Sequence, residues 1–173
     1  TKRHLTINGG TFTNDAATID VGGDFMNNNT AMYVQCGGKL TVAGHYLPSG
    51  NSILRLASGR IEIKDGYGLY QKSGSIFIED GVLIAQRIRW GGDTSSADLS
   101  EIVQSGGVIT LDGATRPGLW MCEGGIRPCR LALLGGELRT PTVCAMKSVL
   151  KGGAGTASFL GAGGRLVATS SAP

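Results

Sequence analysis

A short phrase recurs along this chain: a Gly-Gly or Ser-Gly pair, one variable residue, then a large apolar residue that opens an alternating stretch. GGKLTV (37–42), SGRIEI (58–63), SGSIFI (73–78), GGVITL (106–111) and GGELRT (135–140) are clear copies. The second glycine of the phrase falls at Gly10, Gly23, Gly38, Gly59, Gly74, Gly107, Gly136 and Gly164. The apolar position is then Phe12, Phe25, Leu40, Ile61, Ile76, Ile109, Leu138 and Leu166, and Val42, Ile63, Ile78, Leu111 and Ala168 follow two positions later. Such period-two alternation marks strands with one buried face. AMYVQ (31–35) and ILRLA (53–57) alternate ahead of their glycines too, so each unit reads as strand, glycine corner, strand.

The intervals between successive second glycines run 13, 15, 21, 15, 33, 29 and 28, and the long gaps contain further Gly-Gly pairs at 91, 124 and 152. This spacing predicts a coil of roughly 30 residues with two glycine corners. The expected fold is all-β: a single-stranded parallel β-helix (β-solenoid) of about five to six coils with Gly-rich corners, roughly 25–29 Å tall. It would form one domain over residues 1–173. Glycine suits the corners because it reaches positive φ and adds no side chain to obstruct stacking. NNNT (27–30) suits a turn, since Asn accepts left-handed angles and stacked Asn side chains form ladders. An antiparallel sandwich is the competing arrangement, because hairpin turns also use Gly-Gly.

Composition narrows the class. With 29 glycines among 173 residues, 17% charged and 6% aromatic, the chain suits neither a helical bundle nor a charged disordered segment. A net charge of +3 from scattered Lys and Arg indicates neither a nucleic-acid partner nor an anionic membrane surface. No apolar stretch approaches the roughly 18 residues of a membrane span. Strand patterning runs from LTINGG to RLVATS, so the chain is expected to be a mature or excised piece of a longer repeat protein. The four cysteines fit no zinc spacing. Cys122 and Cys129 bracket EGGIRP, a loop that would bring them within disulfide range, whereas Cys36 and Cys144 read as small buried hydrophobes.

LTINGGTFTN (5–14), LALLGGELRTPTV (131–143) and GTASFLGAGGRLVATSS (155–171) resemble the autotransporter-associated β-strand repeats, also called passenger-associated transport repeats. The resemblance implies a β-solenoid body within a secreted or surface-displayed bacterial protein that acts in adhesion, aggregation or extracellular structure. It implies no catalytic residues and no cofactor.

β-Helices also host polysaccharide lyases and hydrolases that use paired carboxylates, so an enzyme has to be weighed. The acidic pairs are Asp20 with Asp24, Glu62 with Asp65, Glu79 with Asp80 and Asp93 with Asp98, and Glu79 with Asp112 comes nearest to a one-coil offset. None forms a motif, and His4 and His45 have no Ser or Cys partner at a recognisable elbow. The calcium nonapeptide G-G-x-G-x-D is absent as well. Two segments interrupt the regular spacing. QRIRWGGDTSSADLSEIV (86–103) offers Arg87, Arg89 and Trp90 as contacts to a glycan or a subunit interface, and RPGLWMCEGGIRPCR (116–130) offers Trp120 and Arg127. The expectation is a non-enzymatic extracellular scaffold, fibre subunit or adhesin stalk that associates end to end or with adjacent repeats. The alternative is a carbohydrate-binding or polysaccharide-degrading β-helix of the tail-spike or lyase kind.

Overall fold

The computed structural model describes residues 3–64, 67–71, 73–90, 99–113, 118–121, 128–141, 143–145 and 157–168. Within them, three seven-stranded parallel sheets form the faces of a three-sided β-solenoid. Sheet A contains β1 (Leu5–Ile7), β4 (Phe25–Asn27), β7 (Tyr46–Pro48), β10 (Leu69–Gln71), β13 (Ile88–Trp90), β16 (Leu119–Met121) and β19 (Val143–Ala145). Sheet B contains β2 (Thr11–Asn14), β5 (Met32–Gln35), β8 (Ile53–Leu56), β11 (Ser75–Ile78), β14 (Ser100–Gln104), β17 (Cys129–Leu133) and β20 (Ala157–Gly161). Sheet C contains β3 (Thr18–Val21), β6 (Lys39–Val42), β9 (Arg60–Ile63), β12 (Val82–Ala85), β15 (Val108–Leu111), β18 (Glu137–Thr140) and β21 (Arg165–Ala168). Every third strand along the chain stacks on its predecessor in register, which excludes the antiparallel sandwich.

The parallel solenoid matches the expectation from sequence, but the coil is different. Each turn has three strands rather than two, and seven strands stack in each sheet rather than five or six. Leu40, Ile61, Leu83, Ile109, Leu138 and Leu166 stack in one column of sheet C, and the coils that separate them lengthen along the stack. The early coils are therefore much shorter than the glycine spacing implied. The recurring phrase merged three kinds of corner. Gly10 and Gly74 precede strands of sheet B, Gly23 precedes sheet A, and Gly38, Gly59, Gly107, Gly136 and Gly164 precede sheet C.

Alternation buries one side chain in two. Leu40, Ile61, Leu83, Ile109 and Leu138 form an interior column of sheet C; Tyr33, Leu54, Ile76, Ile102 and Leu131 form one in sheet B; and Phe25, Tyr46, Leu69, Ile88 and Leu119 form one in sheet A. Each buried Leu or Ile contributes about 1.5–3 kcal/mol. The rings of Phe25 and Tyr46 stack at 4.7 Å, and Tyr33 meets Phe25 edge-on at 5.1 Å. Burial raises the Tyr33 phenol to about 12.

At the corner from sheet B to sheet C, buried amides replace apolar residues. Asn14, Gln35 and Gln104 share one interior column. Gln104 Nε2 donates to the carbonyls of Gly106, Gly107 and Glu137 at 3.1–3.2 Å, and Asn14 Nδ2 donates to Ala17 O at 3.0 Å and Gln35 Oε1 at 3.3 Å. These side chains are additional donors to corner carbonyls, two of which, Ala17 O and Gly107 O, also accept from the backbone of the next coil at 3.1 and 3.0 Å.

The corner glycines need more than backbone freedom. Gly136 has φ +70°, and a Cβ there would collide with the carbonyl oxygen of Gly106 in the coil beneath. Gly10 also has positive φ, but as part of the first coil it has open space where a Cβ would sit. Two expected corners differ: Gly23 and Gly164 are not in the left-handed region, while Gly50, Gly81, Gly163 and Asn29 are. Asn29, at φ 59°, bears out the turn expected at NNNT. Asn28 Nδ2 donates to Asn8 Oδ1 at 3.1 Å, and Ser49 Oγ donates to Asn28 Oδ1 at 2.8 Å, forming the expected ladder. Cys36 is exposed, against the expectation of burial, because it begins the corner after β5; Cys144 lies in β19. The stacking account predicts that Gly136→Ala lowers stability by about 2 kcal/mol or more in a denaturant melt, whereas Gly9→Ala, where nothing lies within 4 Å, changes it little.

Candidate ligand-contact face

The most irregular chemistry gathers on sheet A and the corner that leads into it from sheet C. On the outward column of sheet A, Tyr70, Arg89 and Trp120 follow one another through β10, β13 and β16. The Arg89 guanidinium lies 4.8 Å from the Tyr70 ring centre and 5.1 Å from that of Trp120, so the cation sits between two aromatic rings. Each such contact contributes about 0.5–1 kcal/mol at an exposed site. Below Tyr70, the His45 ring lies tilted against it at 4.5 Å and meets Tyr67 edge-on at 4.8 Å.

Backbone geometry holds this row in place. His45 N donates to Asp24 Oδ1 at 2.8 Å, and Gly68 N donates to His45 Nδ1 at 3.3 Å. His4 makes the equivalent contact lower down, accepting from Asp24 N at 3.0 Å. Both imidazoles therefore serve as acceptors for corner amides. Arg87 packs above the Gly68 corner, in the next coil: a Cβ on Gly68 would come within 2.7 Å of Arg87 Cγ.

The two interrupted segments thus contribute regular strands to one face. Arg89 and Trp120 meet directly, and Arg87 lies half-buried just before β13. Trp90 closes β13 with its backbone in register with Gln71 and Met121. Arg127 and Cys122, and with Cys122 the expected Cys122–Cys129 bridge, lie outside the described residues; Cys129 is buried at the start of β17.

Among the described residues, the carboxylates expected as pairs do not converge. Glu79, at the corner after β11, is held bidentately by Arg55 at 2.7 and 2.9 Å, while Asp112 follows β15 at a different corner. Glu62 is paired with Lys39 and Arg60, each at 3.1 Å, and these cations hold its carboxyl below the usual range. Glu101 pairs with Arg130, and Glu137 with Arg139 and, at 3.4 Å, Arg165. Asp65, Asp93 and Asp98 lie outside the described residues. Among the described residues, no group of three or more His, Cys, Asp or Glu is placed to hold a metal, and no helix is long and apolar enough to cross a membrane.

Beside His45, an open pocket of about 430 Å³ lies at the corner between sheets C and A, lined by Ala43, Glu62, Ile63, Lys64, Tyr67 and Ile84. The sequence gives no sign of it, because its residues come from three successive coils. No family model, curated protein or solved structure matches the chain.

Burial lowers the pKa of His45; Arg87 and Arg89 push the same way, and Asp24 opposes them. A folded-state pKa below the unfolded value means that the unfolded chain binds more protons between the two. This part of the stability is therefore present above about pH 6.5 and is lost as pH falls through the folded value. Thermal melts at pH 7.5 and 5 should show a loss of stability on acidification that is smaller in His45→Gln.

Proposed function

We propose that this protein is a non-enzymatic structural scaffold of a secreted or cell-surface assembly, built to extend by pairing coil against coil. One observation carries the reading: among the described residues, seven coils stack in register through three parallel sheets. The body is therefore a rod in which each coil is held by pairing with the next, and a further coil of the same kind adds by the same pairing. The resemblance of the segments at 5–14, 131–143 and 155–171 to autotransporter-associated repeats supports the extracellular, bacterial-surface setting and the role of fibre subunit or adhesin stalk.

Electron microscopy over a concentration series tests this. End-to-end joining predicts filaments with an axial repeat of about 34 Å, from seven rungs of about 4.8 Å. Monomers that stay dispersed at every concentration contradict it.

A second reading, contact with carbohydrate along sheet A, is favoured by the Tyr70–Arg89–Trp120 row, which lines up aromatic edges and a cation on one outer face. The two readings are compatible, since a stalk can carry contacts along its side.

A further inference from the structure

We propose that the corner pocket beside Tyr67 binds a carboxylated saccharide, a hexuronic-acid unit within an oligomer; this rests on the carbohydrate-contact reading and gives it a site. The pocket, of about 430 Å³, falls within the usual range for small-molecule sites. Its lining is divided. Ala43, Ile63 and Ile84 supply apolar surface, while Glu62, Lys64 and Tyr67 supply a polar side. A pyranose ring is divided in the same way, with C–H groups on its faces and hydroxyls around its rim, so it can lie against an aromatic wall while its rim reaches polar groups.

The aromatic wall is set in advance. Tyr67 N donates to Lys64 O at 3.1 Å, Gln86 N donates to Tyr67 O at 3.3 Å, and the His45 ring fixes the Tyr67 ring edge-on at 76°. Ordering that precedes binding spares a ligand the cost of immobilising a loop.

Charge selects the class of sugar. The Glu62 carboxylate is already matched by two cations, Lys39 and Arg60. Lys64 adds a third at the exposed side of the same pocket, so among the described residues that line or pair with the pocket, positive charge exceeds negative. An anionic substituent on the ring would meet Lys64, while Glu62 remains an acceptor for hydroxyls.

The test is an NMR titration of isotope-labelled protein with a hexuronic-acid tetrasaccharide, and with a neutral hexose tetrasaccharide of equal length. The proposal expects shifts centred on Ala43, Lys64 and Tyr67, and affinity for the neutral sugar about tenfold weaker. Lys64→Met should lower affinity for the uronate by about tenfold and leave the neutral sugar unaffected, with the melting temperature unchanged because Lys64 is exposed. Tyr67→Ala should weaken both. Absence of shifts in the pocket at millimolar saccharide, or equal uronate affinity in Lys64→Met, overturns the proposal. Shifts confined to Arg89 and Trp120 overturn the pocket but keep the wider carbohydrate reading, and no binding at all removes both. Filament formation is read separately and survives any of these results.

Discussion

The backbone hydrogen bonds that run along the axis from each coil to the next are what the rest of this structure depends on. Strands of three to five residues are too short to be stable alone, so each is held by the strands above and below it. Register then fixes everything else. Once Leu40 lies under Ile61 and Ile61 under Leu83, every second side chain points inward, and each corner must turn above the corner before it. That second requirement is why carbonyl oxygens of the coil beneath crowd the space where a Cβ would sit at Gly38, Gly59, Gly81, Gly107 and Gly136. Glycine is retained there by the neighbouring coil as much as by its own φ.

The same stacking organises the surface. Residues distant in sequence are placed about one rung apart, so charges on sheets B and C settle into pairs across coils, such as Arg55 with Glu79 and Glu101 with Arg130. Exposed pairs of this kind contribute only about 0–1 kcal/mol each, and their main effect is to keep two faces polar. Sheet A differs. Its outward column passes from Tyr70 through Arg89 to Trp120, beside the pocket at Tyr67, and this concentrates the chemically distinctive side chains on one side of the solenoid.

Much of this was legible in the sequence, for a definite physical reason. In sheet C, burial and a fixed glycine offset act together, so the Leu40, Ile61, Ile109 and Leu138 column can be read directly from the repeated phrase. Asn29 was legible because few residues other than Gly accept its backbone angles. The third strand of each turn was legible only in part: LTI and FMN adjoin glycine pairs, whereas YLP and LYQ are too short to show a period. Gly81 escaped because Asp80 precedes it in place of Gly or Ser, and that omission stretched the interval ending at Gly107 from 26 residues to 33. The Tyr70–Arg89–Trp120 row was hidden by unequal coils, since the chain between Arg89 and Trp120 is much longer than that between Tyr70 and Arg89. The buried Gln104 was hidden because it meets Glu137 O, a carbonyl that only the folded coil brings near.

The most direct test of the parallel three-sided stack is a set of through-space contacts between backbone protons in solution. The account predicts contacts linking Leu40 to Ile61, Ile61 to Leu83 and Ile109 to Leu138, with the pattern of parallel in-register strands. Close Hα–Hα contacts between consecutive strands, as in hairpins, together with absence of those links, would contradict it.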